Sequence, residues 1–214
     1  MLTGPERKTC SGLPARHLVI FVHGYGANGD DLIALADEWS EYLPDTHFVA
    51  PNAPTPLENS FGGFQWFPIR EISEAAMMDG VQSVTPAFQA FIDDQLLKHH
   101  LTIDRVAVVG FSQGTMLALY AMLRRDKPCA AIIGYSGLLM GSASLEQDAR
   151  SKPPVCLIHG TSDTVVPFSF MADAESALRD AGIEVEAHAR GGLGHGIDAE
   201  GLQLAKEFLR ANLK

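Results

Sequence analysis

The sequence predicts one α/β domain: a doubly wound, mostly parallel open sheet with helices on both faces and no cap domain. Three observations predict it. Short apolar segments rich in β-branched residues alternate with stretches of helical periodicity. Five of the six strand candidates are apolar at nearly every position, as strands are when helices cover both faces of a parallel sheet. And a serine between two glycines, "GFSQG" at 110–114, stands where one such strand gives way to an apolar helix.

The elements follow in order. "HLVIFVHG" (17–24) is the first strand. Leu32, Leu35, Ala36 and Trp39 then keep i, i+3, i+4, i+7 spacing, with Asn28 or Asp30 as N-cap. "HFVAPN" (47–52) is the second strand, and the irregular, Pro- and aromatic-rich stretch 51–79 follows it. A long connection of this kind in a compact domain is usually functional. Val84, Phe88, Phe91, Ile92 and Leu96 mark a helix from about Gly80 to His99, with Pro86 implying a start near Thr85 or a tolerated kink. "RVAVVGFS" (105–112) is a strand, and Thr115 to Arg124 is a helix apolar on most faces. "AAIIGYSG" (130–137) and "PVCLIHG" (154–160) are strands, and 169–182 is a helix. "EVEAHAR" (184–190) alternates as an edge strand does, and the last helix lies within 196–214.

Composition narrows the function. The 214 residues suit a single domain over 1–214, and 46% hydrophobic content excludes a disordered chain. A net charge of -10 disfavours nucleic acid and anionic membrane surfaces as partners. Cys10, Cys129 and Cys156 form no C-x-x-C pair, and Cys156 reads as a core thiol. Residues 1–16 lack the apolar core of a signal peptide, and no apolar run nears the roughly 20 residues of a membrane span. A cytoplasmic location is expected.

Gly110-Phe111-Ser112-Gln113-Gly114 is G-x-S-x-G at a strand-to-helix turn, the context that distinguishes a nucleophile elbow from a chance match. So tight a turn strains the serine backbone and leaves no room for side chains two residues away on either side. The hydroxyl it exposes sits at a helix N-terminus, where developing negative charge is favoured. The competing reading, a simple helix cap, gives the glycines and the strand no common cause.

A serine hydroxyl needs a base, and the base an orienting carboxylate. Asp163 in "HGTSDTVVP" and His195 in "GGLGHGID" follow in the order serine, acid, histidine, each past a strand's carboxyl end. Among the eight histidines, His159 reads as structural at a strand end, and His23 as a brace for its loop. Asp198 and Glu200 are fallback acids that break the order. An oxyanion hole is expected from the backbone N–H groups of Gln113 and of Tyr25 in "HGYGANGDD". A metal reading of His23, Asp30 and Asp31 has no ligand spacing behind it.

The motifs "FVHGYGANGDDL", "PNAP", "GFSQGTMLAL", "HGTSDTVVP" and "GLGHGID", in that order, span nearly the whole chain. In them the chain resembles the α/β-hydrolase family of small carboxylesterases, lysophospholipase-like enzymes and acyl-protein thioesterases. The resemblance implies Ser112, Asp163 and His195 as the triad and Tyr25 and Gln113 as the oxyanion positions. It implies no cofactor, and no metal or phosphate-cradling motif appears. It also makes "FQWFPI" an aromatic segment lining the substrate site.

The interval from Gly137 to Lys152 is only 16 residues, too short for a cap over the site. An open, shallow site walled by 51–79 is therefore expected. Phe61, Phe64, Trp66, Phe67, Ile69, Met77 and Met78 are wall candidates, with Leu138, Leu139, Met140, Val165 and Val166 opposite. The competing reading is that half of them pack the segment onto the sheet. The leading expectation is a serine carboxylesterase for short- to medium-chain esters. The alternatives are an acyl-protein or acyl-CoA thioesterase or lysophospholipase, and an inactive ligand-binding homologue. Partners are a small-molecule ester or thioester, with no nucleic acid and no stable membrane association. The apolar flap and the edge strand each offer a surface for a homodimer.

Overall fold

A computed structural model of the chain describes residues 2–58, 62–69, 71 and 73–214. The strands are β1 (Glu6–Arg7), β2 (His17–Val22), β3 (Thr46–Val49), β4 (Thr55–Pro56), β5 (Phe64–Gln65), β6 (Val106–Phe111), β7 (Ala131–Tyr135), β8 (Val155–Gly160) and β9 (Val185–Arg190). The helices are α1 (Gly29–Ile33), α2 (Leu35–Trp39), α3 (Glu74–His99), α4 (Gln113–Leu123), α5 (Leu145–Asp148), α6 (Ser169–Asp180) and α7 (Ala199–Asn212). Seven strands form one sheet in the order β1-β3-β2-β6-β7-β8-β9, parallel throughout except for β1 against β3. β4 and β5 form a separate hairpin. All six long strands predicted from the sequence are present, and alternating "EVEAHAR" is indeed an edge.

The period-2 alternation of each strand divides the core. Leu18, Ile20 and Val22 pack on one side of the sheet with α3, α4 and α6. Val19 and Phe21 pack on the other with α1, α2 and α7. Every residue of α4 is buried, which explains why its sequence is apolar on most faces. β1 has no apolar signal because both its residues are exposed.

Two elements differ from expectation. The amphipathic stretch at 29–39 is two short helices meeting at Ala34. Asn28 caps the first by accepting from the amides of Asp30 and Asp31, and the Asp31 carboxylate accepts from the Asn28 amide. The third helix begins at Glu74, capped by Ser73, and runs through Pro86. Pro86 and Gln82, whose carbonyl loses its helical donor, both lie on the exposed side. Water can then satisfy the freed group, so the proline does not end the helix.

Between β7 and β8 lie only a 3-10 turn at Ser142–Ser144 and the four-residue α5, so this interval holds no cap domain. No helix among the described residues is long and apolar enough to cross a membrane. Cys156 is fully buried in the core, and burial pushes its thiol up to about 12.

Candidate active site

Ser112 joins β6 to α4 with φ 53° and ψ −115°. That backbone is costly for a side-chain-bearing residue, and its surroundings hold it there. Its amide donates to the Tyr135 carbonyl at 2.9 Å, and its carbonyl accepts from Thr115 and Met116 at 3.0 and 3.2 Å. The backbone thus opens the helix while the hydroxyl makes no capping bond. The cap reading therefore fails. A Cβ on Gly110 would sit 2.5 Å from the Thr115 amide, and one on Gly114 would overlap the Val22 carbonyl oxygen. Both collisions are with backbone, so both glycines are required.

Asp163 and His195 come together from separate loops. The 193–195 loop lies against the end of β8, where a Cβ on Gly160 would overlap the carbonyl oxygens of Leu193 and Gly194. The Ser162 amide donates to Leu193 at 2.9 Å. His195 Nδ1 then stands 2.8 Å from Asp163 Oδ2. The other carboxylate oxygen accepts from the amides of Val165 and Val166, each at 2.9 Å. Burial opposes charge on Asp163, but hydrogen bonds from His195 and from the Val166 and Val165 amides outweigh it and hold the carboxyl below its usual range. With Nδ1–H donating to the carboxylate, His195 Nε2 is left as an acceptor. The His195 ring packs on Phe111, the residue before Ser112, with centroids 4.9 Å apart. Among the described residues the Ser112 hydroxyl has no hydrogen-bond partner, and the contact observed between His195 and the elbow is this packing on Phe111.

The loop after β2 abuts the elbow: a Cβ on Gly24 would lie 3.4 Å from Ser112 Cβ. His23 braces this loop. Its Nε2 accepts from the Ala53 amide at 3.0 Å, so Nδ1 carries the hydrogen and donates to the Gly24 carbonyl at 2.8 Å. Burial lowers its pKa, and the ring is neutral in this arrangement. "PNAP" has a matching role: besides the Ala53 amide, Asn52 Oδ1 accepts from Gly29 at 2.7 Å and pins the start of α1. Tyr25, between these anchors, is 47% exposed.

The sequence assigns Gln113 a role through its amide alone, yet its buried side chain does more. It accepts from the Trp66 amide at 2.9 Å and donates to the Phe67 carbonyl at 2.7 Å. Trp66 Nε1 in turn donates to the His23 carbonyl at 2.9 Å. These bonds fasten the 64–67 strip to the elbow, and they correct the lining expectation. Trp66, Phe67, Leu138 and Val166 are 2% exposed or less and sit in the large core cluster, so they have almost no surface to offer a substrate. Met77, Leu139 and Met140 are buried likewise. Phe64, Ile69 and Met78 keep partial exposure, Val165 is exposed, and Phe61 lies outside the described residues. The fallback acids are engaged elsewhere: Asp198 and Glu200 both pair with Arg190, and Asp198 caps α7.

A model of the phospholipase/carboxylesterase family matches residues 6–213. The chain belongs to that family. It is 42% identical to the chain in the crystal structure of esterase PE8, with a TM-score of 0.95 and 99% of each chain covered. It is 28% identical to esterase YpfH of Escherichia coli strain K12, over 92% of this chain and 83% of that protein. Acyl-protein thioesterase 1 of Debaryomyces hansenii is also 28% identical, over 97% of this chain and 96% of the yeast protein. The family's names thus divide between esterase and thioesterase, and its common chemistry is carboxylic ester or thioester hydrolysis.

Proposed function

We propose that this member of the family is a serine carboxylesterase for short- to medium-chain carboxylic esters, working through an acyl-enzyme on Ser112. The observation that carries the reading is the uncapped Ser112 hydroxyl at a strained elbow, with an Asp163–His195 pair of 2.8 Å packed beside it. Ser112 Oγ attacks the ester carbonyl as His195 Nε2 takes its proton. His195 then returns the proton to the leaving alkoxide, and Asp163 stabilises the imidazolium between the two events. Water repeats the sequence on the acyl-enzyme and releases the acid. The amides of Tyr25 and Gln113 hold the oxyanion. Neither donates to an acceptor among the described residues, as a preorganised hole requires.

The substrate range follows from the rim. No cap lies between β7 and β8, and among the described residues its apolar surface comes from exposed Tyr25 and Val165 and half-buried Phe64, Ile69 and Met78. That area suits a short or medium acyl chain better than a long one. A thioesterase is the second reading, supported by the names of the thioesterase relatives and by a rim open to a bulky leaving group.

Hydrolysis of p-nitrophenyl esters from acetyl to palmitoyl, with wild type beside Ser112→Ala, tests the reading. A serine-dependent optimum at short chains supports it. A serine-dependent optimum at long chains, with faster turnover of a matched thioester, moves the assignment to the thioesterase. No activity on any ester by folded protein would leave a ligand-binding homologue.

A further inference from the structure

The carboxylate of Asp163 meets two imidazoles. Besides His195, the buried His159 at the end of β8 brings Nε2 to 3.2 Å from the same Oδ2 atom. That nitrogen is also 2.9 Å from the Val166 carbonyl oxygen. A carbonyl oxygen only accepts, so Nε2 carries the hydrogen and donates it to the Val166 carbonyl, with the carboxylate at ion-pair distance beside it. Val166 closes the circuit, since its amide donates to Asp163 Oδ1 at 2.9 Å. The ring itself is fixed by burial, at 2% exposure, and by an edge contact to Phe168 with centroids 5.9 Å apart. His159 thus holds the loop on which the acid is mounted and stands against the acid itself.

We propose that His159 is a positioning residue for hydrolysis, a second histidine that aims the Asp163 carboxylate at His195. The inference rests on the triad reading of Ser112, Asp163 and His195. The Asp163 side chain has two torsions to fix, and the Val165 and Val166 amides hold only one of its oxygens. His159 Nε2, fixed by its bond to the Val166 carbonyl, stands 3.2 Å from the other, the oxygen on which His195 depends. Without it the carboxylate can swing about the Oδ1 anchor and leave Nδ1–H of His195 poorly aligned. An error of that size in an orienting group lowers turnover and leaves substrate binding intact.

His159→Phe keeps the ring and its contact with Phe168 and removes the donor. His159→Gln places an amide N–H near the position of Nε2. Steady-state ester hydrolysis is measured for both, with active sites counted by a fluorophosphonate so that unfolded protein is not scored. The expected result is a fall in kcat of about ten- to a hundredfold in His159→Phe with KM nearly unchanged, and recovery of most of kcat in His159→Gln. Wild-type kcat per active site in His159→Phe would overturn the role, whatever its effect on melting temperature. A loss in His159→Phe that His159→Gln fails to recover would overturn it too. Ser112→Ala run alongside separates the two levels: activity surviving that change overturns the triad reading and this inference together.

Discussion

The side chain of Gln113 holds the backbone of Trp66, accepting its amide at 2.9 Å within one residue of the elbow serine. The same side chain donates to Phe67 at 2.7 Å. Two buried backbone groups of an irregular segment therefore depend on one residue of the helix that carries the site. Gln113→Leu leaves both unpaired, at about 1–3 kcal/mol each. A drop in stability of about 2–6 kcal/mol is expected in denaturant unfolding. Gln113→Glu keeps the acceptor for Trp66 but buries a carboxylate against the Phe67 carbonyl, so at neutral pH it should be at least as destabilised as Gln113→Leu.

The glycines divide sharply by location. Gly114→Ala drives a Cβ into the Val22 carbonyl, and Gly110→Ala drives one to 2.5 Å from the Thr115 amide. Neither neighbour is a flexible side chain, so both variants should lose several kcal/mol or fail to fold. Gly191→Ala meets nothing within 4 Å and should unfold within about 0.5 kcal/mol of wild type. Thermal unfolding of the three variants checks the contrast.

Asp163 titrates below its ordinary range in the folded protein, because the bonds from His195 and the two valine amides outweigh burial. A depressed carboxyl adds stability that is complete above its unfolded pKa and is lost as pH falls through the folded one. Asp163→Asn should therefore flatten the acid limb of the unfolding curve below about pH 4. At neutral pH it should cut kcat by a factor on the order of 10³–10⁴, since the amide favours the wrong imidazole tautomer.

His99 gives a second pH signature, away from the site. Burial first, then neighbouring His47 and Lys98, lower its pKa to about 4, with Glu6 acting the other way. Its ring packs on His47, tilted by 38°, with centroids 4.2 Å apart. The unfolded chain takes up this proton first, so stability should decline as pH falls from about 6.5 towards 4. His99→Phe keeps the ring contact and should flatten that interval in a series of urea melts.

Much of this architecture was legible in the sequence because its signals are local. Strands covered on both faces read as unbroken apolar runs, and a turn as tight as the elbow writes its glycines at fixed offsets. What escaped depends on tertiary partners. β1 is two exposed charged residues whose pairing with β3 leaves no apolar trace. The start of α3 at Glu74 lies ahead of a proline that reads as a helix boundary. Trp66 and Phe67 read as a substrate wall from their type, and only the clamp by Gln113 reveals that they face inward. His159 sits at its strand end as read, but its approach to Asp163 requires the folded loop.

The central claim is that Ser112 is the nucleophile. Reaction of the intact protein with a fluorophosphonate, followed by peptide mass mapping and residual activity, tests it most directly. The account predicts one adduct, on Ser112, with activity lost in step with its formation and no adduct in Ser112→Ala. Full loss of activity with the adduct on another residue, or ester hydrolysis that persists after Ser112 is fully modified, would contradict it.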